Sequence, residues 1–149
     1  MLPIHSPQIV LWIHILAASV WIGGQVTIAA VIPLLRGADG LAAAAGRRYQ
    51  VVAWPAFAAL AVTGVINTSN AGIAWSDLGG TSTGRTLAAK LGLVALSGAA
   101  AAMHAFLQAP ALRRRKASTP RPAASALLGL LSVTAAILAA LLGVVIRET

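Results

Sequence analysis

The stretch Ala123–Ile146, AASALLGLLSVTAAILAALLGVVI, decides the fold. It runs for 24 residues without one charged side chain, and an α-helix needs roughly 20 apolar residues to cross the hydrocarbon of a bilayer. A buried strand of a soluble sheet would be far shorter. Three more apolar stretches precede it, at about 9–35, 49–68 and 86–109. Their ends carry helix punctuation. Pro7 stands where a helix start tolerates proline, Arg36-Gly37 closes the first stretch, and Pro110 stops the third. Pro120 and Pro122 precede the fourth, whose span is read as 123–146, and Pro55 is expected to kink the first turns of the second. Inside a bilayer every backbone polar group must be satisfied within the spanning element, which a helix achieves. The expected fold is all-α: an integral membrane four-helix bundle, up-down-up-down, forming one transmembrane domain over 1–149.

Composition agrees. Of 149 residues 58% are hydrophobic and 9% charged, against about 25% charged in soluble domains. The net charge of +8 does not point to nucleic acid, because the basic residues lie between apolar runs. Arg36, Arg47 and Arg48 fall in the first loop, and Arg113, Arg114, Arg115, Lys116 and Arg121 in the third, eight of the eleven basic residues. The positive-inside rule makes that side cytoplasmic and both termini extracytoplasmic. The same basic run also suits anionic lipid head groups, although topology alone accounts for it. The first apolar run lacks a basic leader and exceeds signal-peptide length, so it reads as a retained span. Without cysteine there is neither thiolate ligand nor disulfide. The acidic residues Asp39, Asp77 and Glu148 all lie outside the spans, which excludes paired-carboxylate and Ser-His-Asp chemistry inside the membrane.

Polar residues at membrane depth are costly and mark function or a buried partner. On the first helix His14, Trp21 and Gln25 are offset by 7 and 11 residues, which places them on one face. On the third, Lys90, Ser97 and His104 are spaced by sevens and also share a face. Depth sorts them into an outer level (His14, Lys90) and an inner level (Gln25, His104), with Trp21 and Ser97 between. His14 and His104 should stand roughly 20 Å or more apart along the membrane normal, too far to share one ion. Each residue has a plainer reading beside the functional one. A buried histidine can simply hydrogen-bond across helices, and Lys90 can extend toward the head groups. Trp12, Trp54 and Trp75 suit an interfacial aromatic belt, for which Trp21 is too deep. His5 lies just outside the first span and can join His14 from above. The many small residues, among them Gly23-Gly24, Gly92, Gly98 and Ala99–Ala102, signal close helix packing.

The run Trp12-Ile13-His14-Ile15-Leu16-Ala17-Ala18, with Trp21-Ile22-Gly23-Gly24 after it, resembles the first helix of the copper resistance D family. Thr63-Gly64 with Asn67 resembles the end of that domain's next helix, and Thr83-Gly84-Arg85-Thr86-Leu87 with Lys90-Leu91 and Leu93-Val94 is similar to a further block. The resemblance spans about Ile9 to Leu107. It implies a multi-pass protein of the bacterial inner membrane concerned with copper uptake or tolerance. His14, His5, His104 and Met103 are then the candidate metal ligands, because imidazole suits Cu(II) and thioether Cu(I). His14, Trp21, Lys90 and His104 also resemble the skeleton of the HemJ-type protoporphyrinogen oxidases, which implies haem or a porphyrin. In that reading His14 is the axial ligand, and Arg85 and Lys90 pair with the propionates, with Trp21 beside the ring. Gln25 and Ser97 are supporting polar residues under either reading. Copper is the first expectation, haem b the alternative, and a non-catalytic accessory subunit the third. The copper reading favours a non-enzyme; a catalytic version would be a haem-dependent oxidoreductase. Expected partners are the lipid bilayer and a metal ion or haem, with self-association or a larger membrane complex left open.

Overall fold

Alanine, leucine and other straight-chain residues fill the apolar stretches, and the second, third and fourth stretches form helices longer than their hydrophobic segments. A computed structural model describes residues 5–35, 40–108 and 122–148. Four long helices account for most of them: α1 (Ser6–Val31), α2 (Leu41–Asn70), α3 (Ser82–Leu107) and α4 (Pro122–Glu148). Short 3-10 turns at Ile32–Leu35 and Trp75–Leu78 complete the set, and no strand occurs among the described residues. All four helices are long and apolar enough to cross a membrane, with mean hydropathies of 1.9, 1.6, 1.5 and 2.5 in chain order.

The expected spans were too short at several ends. Arg47 and Arg48, expected in the first loop, lie in the second turn of α2. That helix begins on Gly40, whose φ of 73° is left-handed, a conformation glycine adopts without steric cost. Ala42–Ala45 then carry the helix outward past the apolar core. Likewise Thr83-Gly84-Arg85, expected before α3, forms its first turn. These charges do not mark the helix ends. Arg36, Arg113, Arg114, Arg115, Lys116 and Arg121 lie outside the described residues. Helix α2 continues through Pro55, whose missing N–H leaves the Val51 carbonyl without its ladder donor.

The chain divides into two compact units, Met1–Trp75 and Ser76–Thr149. In the first, α1 packs against α2; in the second, α3 packs against α4. Both are antiparallel hairpins: an early residue of α1 meets a late one of α2 (His14 with Thr63), and on α3 the early Lys90 meets the late Gly143 of α4 while the late His104 meets the early Ser125. Small residues dominate the buried set: Ala17 and Ala53 in the first unit, Ala100, Ala135, Ala136 and Ala139 in the second. Large apolar side chains such as Val51, Val62, Phe106 and Leu127 are exposed. That inversion of the soluble pattern suits a lipid solvent, where small residues let backbones approach and branched ones meet acyl chains.

Candidate functional site

In the α1–α2 hairpin the polar face of α1 is turned into the seam. His14, half-buried, places Nδ1 2.8 Å from Thr63 Oγ1. The Thr63 hydroxyl donates its one hydrogen to the Ala59 carbonyl at 2.6 Å, so it accepts from His14. Nδ1 therefore carries the imidazole proton and Nε2 the lone pair, the tautomer in which Nε2 can ligate a metal. A Cβ on Gly64 would sit 3.4 Å from His14 Cε1, so the ring rests on bare backbone. Two turns along α1, Trp21 is buried at 3% exposure. Its ring centroid lies 4.6 Å from Phe57 and 5.8 Å from Trp54. Trp54 thus packs against Trp21 and Phe57 within the hairpin, while Trp12 and Trp75 are exposed. The Trp21 carbonyl accepts from both Tyr49 Oη and Gln25 Nε2, each at 3.1 Å. Gly24 makes room for the Tyr49 ring, which a Cβ there would strike. Gln25 is accordingly engaged within its own helix.

The seven-residue spacing on α3 is also realised: Lys90, Ser97 and His104 all meet α4. Lys90 lays its ammonium over Gly143, where an added Cβ would come within 2.8 Å of Nζ. Among the described residues none hydrogen-bonds or ion-pairs with that ammonium. Ser97 and Ser132, both 1% exposed, clasp reciprocally. Each hydroxyl donates to the other residue's carbonyl, at 2.8 and 3.0 Å. His104 Nδ1 lies 2.8 Å from the Ser125 carbonyl, an acceptor, and so bears the proton; Nε2 accepts from Gln108 Nε2 at 2.9 Å. Both ring nitrogens are engaged by protein. Met103 points outward at 51% exposure. Arg85 is exposed in the first turn of α3. That turn is held by Thr81 Oγ1, which accepts from the Gly84 N–H at 2.9 Å. Gly84 itself lies directly beneath the Asp77 carbonyl, where no Cβ fits.

The expected site residues are therefore distributed over two seams. His14, Trp21 and Gln25 line the first, and Lys90, Ser97 and His104 the second. His5 is the N-cap of α1, exposed, with its N–H donating to Gln8 Oε1 at 3.0 Å. It precedes His14 by nine residues, which at helical pitch is about 13 Å and half a turn around the axis. One ion cannot bridge the two imidazoles in this conformation. No group of three or more His, Cys, Asp or Glu side chains is placed to hold a metal among the described residues. The polar faces read on α1 and α3 left their partners on α2 and α4 unassigned. Thr63 and Asn67 stand four residues apart inside an apolar span, a spacing that puts both on one face. Asn67 Nδ2 is buried without a hydrogen-bond partner.

Four helices of this length and hydropathy make the chain a multi-pass membrane protein in contact with lipid. The family model for copper resistance protein D matches residues 43–147, well over half of the chain, and the protein belongs to that family. It is thus a membrane protein related to copper resistance. No curated protein and no solved structure shows significant similarity. The matched span includes Thr63, Asn67, Arg85, Lys90, Ser97 and His104, and it begins beyond α1, leaving His14 and Trp21 outside. The similarity to protoporphyrinogen oxidases gains nothing from this match.

Proposed function

We propose that this protein handles a copper ion within the membrane, in uptake or tolerance, through a polar site in the α1–α2 seam centred on His14. The observation that carries the reading is the His14–Thr63 hydrogen bond, which orients the imidazole in the seam and puts its proton on Nδ1. Such an outer partner commonly sets ring orientation and ligand basicity at metal sites. The donor chemistry suits the oxidised ion. Imidazole and amide or hydroxyl oxygen favour Cu(II), whereas Cu(I) is selected by thiolate and thioether; the chain has no cysteine and Met103 is exposed. A single imidazole also suits cargo, which must leave, better than a resident cofactor. Lys90 is the second functional residue in this reading. A cation over Gly143 with no acidic neighbour among the described residues can hold an anion that accompanies the ion. His5 and His104 serve as further donors only if they leave their present hydrogen bonds or positions. The basic loops face the cytoplasm and both termini face outward, in the inner membrane of a bacterium.

The test is an absorption spectrum of the protein in mild detergent, before and after dithionite, with metal analysis of the same sample. Stoichiometric copper, lost in His14→Ala while the variant stays folded, is the expected result. Copper retained in His14→Ala overturns the site. A Soret band that shifts on reduction overturns the copper reading in favour of haem b, with Arg85 and Lys90 at the propionates. If neither appears, the accessory-subunit reading replaces it.

A further inference from the structure

Asn67 is the buried group that the hairpin leaves unexplained. Its Nδ2 is shielded from solvent and has no partner among the described residues. A buried amide donor without an acceptor is unfavourable, and more so in hydrocarbon. Several polar neighbours on this seam have partners. His14 has Thr63, Tyr49 and Gln25 share the Trp21 carbonyl, and Thr68 bonds the Gly64 carbonyl at 2.9 Å. Asn67 lies one turn from Thr63 toward the end of the hairpin where α1 begins and α2 ends, about 6 Å along the axis from the level of His14. Asn67 thus stands one turn of α2 beyond the residue that holds the His14 ring.

We propose that the Asn67 carboxamide is a ligand-binding residue of the His14 site, donating a hydrogen bond to an oxygen carried by the bound ion. That oxygen belongs to a water or small anion, so the species recognised is a hydrated divalent copper ion rather than Cu(I), which is bare or held by sulfur. The inference rests on the His14 reading and adds to it both the residue and the oxidation state of the cargo.

Titration of the full-length protein in detergent with Cu(II), and with Cu(I) under ascorbate, each against a competing chelator, tests it. Asn67→Leu keeps the branched side-chain outline and deletes the donor. Cu(II) affinity is expected to fall 10- to 100-fold, the range seen when a group supporting a metal site is removed, while Cu(I) affinity is weak in the parent and unchanged in the variant. The melting temperature is expected to stay level or rise, because an unpartnered buried donor has been removed. A merely structural Asn67 predicts the same thermal result with unchanged Cu(II) affinity, and that outcome overturns the proposal. Tighter binding of Cu(I) than Cu(II) by the parent also overturns it, while leaving the copper reading intact. Copper lost in His14→Ala yet retained in Asn67→Leu separates the two in the same way, and a parent that binds neither ion sinks both. If Asn67→Leu does not fold, Asn67→Ala carries the same expectations.

Discussion

The Ser97–Ser132 clasp permits a quantitative test of what holds the second hairpin. Each hydroxyl donates to a main-chain carbonyl of the facing helix, at 2.8 and 3.0 Å, and the two oxygens are 3.3 Å apart. Interhelical hydrogen bonds in membrane proteins contribute about 0.6 kcal/mol on average and up to about 1.7 kcal/mol. Both residues are 1% exposed and the bonds are short, which places each in the upper half, about 1–1.5 kcal/mol. Ser97→Ala removes one donated bond and leaves Ser132 donating to the residue-97 carbonyl; Ser132→Ala does the converse. Neither change orphans a donor, so no burial penalty is added. The double variant should lose about 2–3 kcal/mol, close to the sum, because the acceptors are backbone groups and only the weak hydroxyl–hydroxyl contact couples the pair. The assay is reversible unfolding in mixed micelles, with copper content measured alongside. Single losses below about 0.3 kcal/mol, or a coupling energy above about 1.5 kcal/mol, would refute the account of two independent bonds. Loss of copper in a folded single variant would refute the assignment of Ser97 to packing.

Gly84→Ala puts a methyl group into the Asp77 carbonyl, a backbone atom that cannot rotate away. The expected loss exceeds about 3 kcal/mol, at the severe end for point substitutions, and is read as failure to purify in folded form or as a collapsed melting temperature. Gly143→Ala is a useful contrast: the obstruction is the flexible end of Lys90, so the cost should stay below about 1.5 kcal/mol. Thr63→Val keeps the shape and deletes the hydroxyl that accepts from His14; copper affinity should drop about 10- to 100-fold with the protein still folded, and unchanged affinity would detach Thr63 from the site.

Much of this fold was legible in the chain because the bilayer imposes a simple rule. Ala123–Ile146 could be little else but a span, and the sevens on α3 and the 7-and-11 offsets on α1 named the faces that enter the two seams. The ends were misread where charge was taken as a loop marker, since Arg47, Arg48 and Arg85 are compatible with a helix that runs on into the head-group layer. A tryptophan near the end of an apolar run suits the interface, and the pairing of α1 with α2 also sets the Trp54 ring against Trp21, a contact that a single run cannot reveal. The partner of a buried polar group was beyond a single helix's periodicity. Thr63, Ser125, Ser132 and Gly143 acquire meaning only when a second helix is brought alongside in a definite register. The outer level of His14 with Lys90 was an argument from depth alone, and the structure gives each of these residues a local setting within its own hairpin.

Polar side chains satisfied within one hairpin change what membrane insertion must overcome. A lone span bearing His14, or one bearing Ser97, would enter hydrocarbon with hydrogen-bonding groups that lipid cannot answer. Entering as a pair, α1 brings Thr63 with it, and α3 brings Ser132 and Ser125. The hairpin is then the natural unit of biogenesis: two helices leave the translocation channel together, already paired, and Lys90 and Asn67 are among the seam residues whose side chains must still find their answer after insertion.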